Sequence, residues 1–114
     1  MIIGQHSIIY TADADADRAF FRDVLEFPAT DAGDGWLLFR MPPAELAFHP
    51  IHEAAAHEIY LMCHDVQETV ETLTAKGVEF TTPVSDQGWG LLTSIRMPSG
   101  GEIGLYEPRH PTAI

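Results

Sequence analysis

The sequence predicts an α+β domain built from two tandem βαβββ modules. Three observations predict it. Motifs recur about 50 residues apart, two strand-to-helix junctions match, and the composition suits one globular domain. The 114 residues carry 17 acidic and 6 basic side chains, a formal charge of −11, and 46% are hydrophobic. A chain of this length buries enough surface to fold without a disulfide or a metal staple. Its charge argues against nucleic acid, whose phosphates are met by Lys and Arg, and against anionic lipid. Its apolar fraction argues against a disordered acidic tail. The expected partner is a neutral or cationic small molecule, with no nucleic acid and no membrane. Cys63 stands alone, so nothing calls for an oxidising compartment. The first residues lack the basic and apolar regions of a secretory leader, and no apolar run reaches membrane-span length. A cytoplasmic location is therefore the expectation.

The repeat is an ordered series. Trp36-Leu37-Leu38, Arg40-Met41-Pro42 and Glu45-Leu46-Ala47-Phe48 reappear as Trp89-Gly90-Leu91, Arg96-Met97-Pro98 and Glu102-Ile103-Gly104-Leu105. The offset grows from 53 at the tryptophans to 57 at the glutamates, and is 52 for His6/Glu58 and Asp13/Asp65. A slowly drifting offset marks a duplicated unit. Module one is read as 1–50, a linker as 51–56, module two as 57–108 and a tail as 109–114.

Each module reads alike. Residues 5–11 and 57–63 are short, apolar and rich in β-formers, so they read as strands. Asp13 and Asp65 then cap helices, and Glu68 completes a capping box. Apolar residues follow at helical spacing: Ala16, Phe20, Phe21, Val24 and Leu25, then Val66, Val70 and Leu73. Gly77 suits a helix C-terminus. Return strands begin near Phe27 and at Val78-Glu79-Phe80. Strands over 36–41 and 45–49 complete module one, and strands over 89–97 and 102–106 complete module two.

Strand parity sorts the faces. His57, Ile59, Leu61 and Cys63 share one face, which should lie under the helix. Glu58, Tyr60, Met62 and His64 share the other. The same count groups His6, Ile8 and Tyr10, then Glu45, Ala47 and His49, then Glu102, Gly104 and Tyr106. This second set reads as the wall of a small-molecule site, largely apolar with a few polar groups.

Two βαβββ units, a His seven residues before a helix-starting Asp, and the run Pro98-Ser99-Gly100-Gly101-Glu102-Ile103-Gly104-Leu105-Tyr106-Glu107-Pro108 resemble the vicinal oxygen chelate superfamily. That group includes glyoxalase I, bleomycin resistance proteins and extradiol dioxygenases. The resemblance spans His6 to Pro108. It implies a curved mixed sheet around a ligand cavity, a homodimer, and any of several chemistries, because one scaffold hosts many.

The resemblance also implies where a divalent metal (Zn, Ni, Mn or Fe) would bind: on the first and last strands of each module. His6 and Glu58 occupy the first-strand positions and are the metal and catalytic candidates. Ala47 and Gly104 occupy the last-strand positions and cannot ligate. Two of four positions survive, whereas a catalytic site normally uses about three protein ligands, so the metal site reads as incomplete and no cofactor is certain. His49 and His64 read as exposed strand-end histidines, with ligation as the alternative. His6 could also pair with Glu58 as acid–base machinery.

Other patterns carry less. His52 and His57 are five apart, not the four that a helical zinc pair needs. No phosphate-binding glycine motif is present, no serine sits in a nucleophile-elbow context, and Cys63 reads as a small core residue. Trp36 and Trp89 stand at equivalent strand starts and read as core or, with Tyr10, Tyr60 and Tyr106, as a stacking wall. Arg40 and Arg96 read as solvent-facing strand ends. His49 and Met62 complete the ligand-binding candidates. Two functions follow: a small-molecule-binding protein for a hydrophobic or cationic aromatic ligand, or a metal-dependent lyase, isomerase or dioxygenase built on His6 and Glu58. A silent interaction module is a third, with no residue pointing to it.

Overall fold

A computed structural model describes residues 7–48, 50, 57–111 and 114. It is a mixed α+β fold. Helix α1 (Ala14–Ala19) runs on into a π-helical turn (Phe20–Val24). A hairpin of β1 (Ala29–Asp31) and β2 (Leu37–Phe39) follows. Then come β3 (Tyr60–Met62), α2 (Val66–Ala75), β4 (Ser85–Asp86), β5 (Gly90–Arg96) and β6 (Glu102–Pro108). The last four strands build one sheet in the order β3-β6-β5-β4, with β3 parallel to β6 and the other pairs antiparallel.

Both helix starts follow the sequence. The Asp13 carboxylate accepts from the Ala16 N–H, and Asp65 accepts from the Glu68 N–H, quenching donors that a helix leaves free. Glu107 on β6 accepts from the Val66 N–H, tying α2 to the sheet. Gly77, at φ 88°, takes the left-handed backbone that ends α2.

The core lies between the helices and one face of the sheet. Phe20 and Phe21 pack with Leu73, Val78, Ile95, Met97, Ile103 and Leu105, and Leu61 and Cys63 lean on this cluster. The predicted helix-facing parity of β3 is thus correct for Leu61 and Cys63. Both halves of the chain contribute to a single core. A polar clasp reinforces it: the buried Asp17 carboxylate accepts from Thr11 Oγ1 at 2.7 Å, Ser99 N at 3.1 Å and Ser99 Oγ at 2.8 Å.

The first half departs from expectation. Residues 7–11 and 45–48 form no strand, the return strand expected near Phe27 starts at Ala29, and β2 covers only 37–39 of the expected 36–41. Ile8, Tyr10, Leu46 and Phe48 are exposed. The physical reason is pairing. β-formers make a strand only where a partner edge and a packed face receive them, and the first helix spends its apolar face on the sheet of the second half. In that half β6 runs past the expected 106 to Pro108, whereas β3 covers only 60–62 of the expected 57–63, β5 covers 90–96 of the expected 89–97, and Val78-Glu79-Phe80 supplies only a bridge from Phe80 to Ile95.

Candidate aromatic site on the open sheet face

The face of the sheet away from the helices carries a cluster of rings. Tyr60 on β3 lies opposite Gly104 on β6, and Tyr106 lies opposite both Met62 and Leu92. Trp89 stands one residue before β5, its carbonyl accepting from the Arg109 N–H. The ring centroids are 5.9 Å apart for Tyr60–Tyr106, 5.3 Å for Trp89–Tyr106 and 6.2 Å for Tyr60–Trp89, with interplanar angles of 81°, 73° and 76°. These are edge-to-face contacts, in which the positive edge of one ring meets the negative face of the next. Tyr60 and Trp89 keep about two-fifths of their surface exposed (38% and 42%), so part of the cluster is open to a ligand.

Two glycines seat the rings. A Cβ built on Gly104 would stand 2.2 Å from the Tyr60 ring, and one on Gly90 would stand 2.8 Å from the Tyr106 ring. The rings therefore lie against bare backbone, where any side chain would displace them. Polar groups fix the edges. Tyr60 donates its hydroxyl to Glu58 Oε2 at 2.9 Å. That bond first, and partial burial second, raise the Tyr60 phenol above its ordinary range. Burial, then the Glu45 charge, raise Tyr106. His110 lies tilted against Tyr106 at 5.8 Å. Its Nδ1 is 2.8 Å from the Pro111 carbonyl, which can only accept. Nδ1 therefore donates, and Nε2 lies 3.1 Å from the Tyr106 hydroxyl.

The fold brings together Tyr60, Trp89 and Tyr106 from the expected ligand wall, with Met62 half-buried on the same face. Trp36 stands elsewhere, its ring under the Arg18 guanidinium at 5.0 Å. Tyr10 is 92% exposed. His6 and His49 fall outside the described residues. His64 is exposed beside the N-terminus of α2, and Arg40 and Arg96 face solvent as expected. Cys63 sits at the core, its thiol raised mainly by burial. Two concavities, of about 630 and 480 Å³, flank α2 on the opposite side of the sheet and contain none of the clustered rings. The aromatic face itself is an open floor. His110 and the seating role of Gly104 and Gly90 were missed in the sequence. The four-residue step from Tyr106 to His110 is the one signal of the former.

Among the described residues no three His, Cys, Asp or Glu side chains converge. Glu58 is engaged by Tyr60, and the hollow over Gly104 is filled by the Tyr60 ring. The described face does not fit an ion.

The family description "Glyoxalase/Bleomycin resistance protein/Dioxygenase superfamily" matches residues 4–105. The chain belongs to this superfamily. Solved structures agree on the fold. An antibiotic-binding protein, TnmS3 from Streptomyces sp. CB03234, superposes with a TM-score of 0.66 at 21% identity, covering 95% of this chain and 98% of its own. A lactoylglutathione lyase from Agrobacterium tumefaciens gives 0.66 at 20%, covering 92% of each chain. A superfamily member from Sphaerobacter thermophilus gives 0.65 at 24%, covering 93% and 98%. A search of curated proteins finds no match. No helix among the described residues is long and apolar enough to cross a membrane.

Proposed function

We propose that this superfamily member binds a small, flat, hydrophobic or cationic aromatic ligand on the face formed by Tyr60, Trp89 and Tyr106. The observation that carries this is the mutually edge-to-face cluster, in which Tyr60 and Trp89 stand partly exposed over the buried Tyr106, flanked by the Glu58 carboxylate. Exposed ring surface favours a stacked partner, and the nearby carboxylate favours a positive charge on it. The antibiotic-binding neighbour is consistent with such a ligand. Fluorescence titration with 9-aminoacridine, a flat cation, and acridone, its flat neutral counterpart, tests the reading. The cation is expected to bind more tightly, and Trp89→Ala to weaken it about tenfold, the upper range of a desolvated cation–π contact. Equal, unsaturable signals for wild type and variant would contradict it.

The tandem-module reading completes the site. By the repeat, 8–10 correspond to β3 and 45–48 to the start of β6, so these segments are the strand partners that the open edge of β3 lacks. Their pairing with β3, within the chain or from a second copy in a homodimer, would cover Ile8, Leu46 and Phe48 and raise walls around the aromatic floor.

A further inference from the structure

We propose that Tyr60 and Gly104 are an interlocked pair that sets the specificity of this face: the tyrosine ring occupies the volume a last-strand carboxylate would need, and so bars a divalent cation. The proposal rests on the binding reading only for the location of the site, not for any ligand. Three observations support it. The two residues are direct partners in the β3–β6 ladder, so the contact is fixed by register rather than by a mobile loop. The overlap is with ring carbons at 2.2, 2.6 and 3.2 Å from the Cβ position, too deep for a small rotation to relieve. The ring is held in place by Trp89 and Tyr106 on its flanks and by its hydroxyl bond to Glu58. That bond also holds the Glu58 carboxylate against the ring edge. A second ring on a second glycine, Tyr106 over Gly90, repeats the device one strand away. The Tyr60 ring and a carboxylate at position 104 are thus mutually exclusive. A side chain at 104 would expel the ring, and the ring excludes a side chain at 104.

A double-mutant cycle tests the interlock. Gly104→Ala is expected to lower the melting temperature by roughly 5–15 °C, the usual range for overpacking in a domain of this size. In a Tyr60→Ala background the same change should cost about 2 °C or less. Should Gly104→Ala fail to fold, recovery of folding by Tyr60→Ala supports the interlock, and no recovery overturns it. Equal losses in both backgrounds also overturn it. Nickel titration reads the chemical consequence. Wild type should retain substoichiometric Ni²⁺ after dialysis. The Tyr60→Ala/Gly104→Glu variant should bind Ni²⁺ about tenfold tighter, since even outer partners of a ligand change affinity by that much. An affinity no higher than wild type, or one equivalent of ion held by wild type and released by Glu58→Gln, overturns the proposal. Dye binding is a separate readout, so loss of the ligand reading and loss of the interlock are told apart.

Discussion

Tyr60 joins most of the chemistry of the site in one side chain. Its hydroxyl bond to Glu58 favours the neutral phenol, so its folded pKa lies above the unfolded value of about 10. Folding then holds the proton more tightly. The contribution is fully present below the unfolded pKa and is lost as pH rises through the folded one. Ultraviolet titration should show one tyrosine shift to lower pH in Glu58→Ala, and an unchanged curve would contradict the bond. Strand parity alone placed Tyr60 and Glu58 on one face, because side-chain alternation is a local property. That Gly104 lacks a ligand was equally legible. That a ring fills its hollow was not, because it depends on the parallel register of β3 and β6. Elsewhere, Glu26 ends the first helical segment at φ 62°, a backbone that costs a non-glycine residue about 1–2 kcal/mol. Glu26→Gly is expected to stabilise by roughly 0.5–1 kcal/mol in urea unfolding once glycine's greater unfolded freedom is offset.

At the scale of elements, capping chemistry was the most readable signal. Asp13 and Asp65 cap where their spacing put them, because a cap is satisfied within three residues, while the Glu68 side chain leaves the expected capping box unclosed. Strands were readable only where a partner was assured. Residues 90–96 of the expected 89–97 became β5 because β6 is joined to it by a tight turn. Residues 7–11 and 45–48 have the same strand-like composition but pair with no strand among the described residues. The Asp17 clasp was invisible in the sequence, since it spans from α1 to the β5–β6 turn. Asp17→Ala should cost about 2 kcal/mol in urea unfolding, because it removes the acceptor of Thr11 and of the half-buried Ser99. A loss below about 0.5 kcal/mol, typical of a surface site, would contradict the clasp.

Taken whole, the molecule is one core built by two halves with one aromatic face left open. The −11 charge bears on that face through Glu58 and Glu45, while Asp15, Asp23 and Glu26 lie on exposed positions and serve solubility. The exposed Tyr10, Leu46 and Phe48 lead to an expectation about assembly. Light scattering should report twice the chain mass at micromolar concentration, and Phe48→Glu should shift it towards monomer. A wild-type mass equal to one chain would contradict the dimer.

The two tryptophans supply the most direct measurement of the ligand face, because the fold separates them. Trp89 stands in the ring cluster and Trp36 under Arg18. Titrating 9-aminoacridine while following the two indole N–H signals by NMR should move Trp89 in a saturable way and leave Trp36 in place. Movement of Trp36 with Trp89 unchanged would contradict the assignment of this face as the binding site.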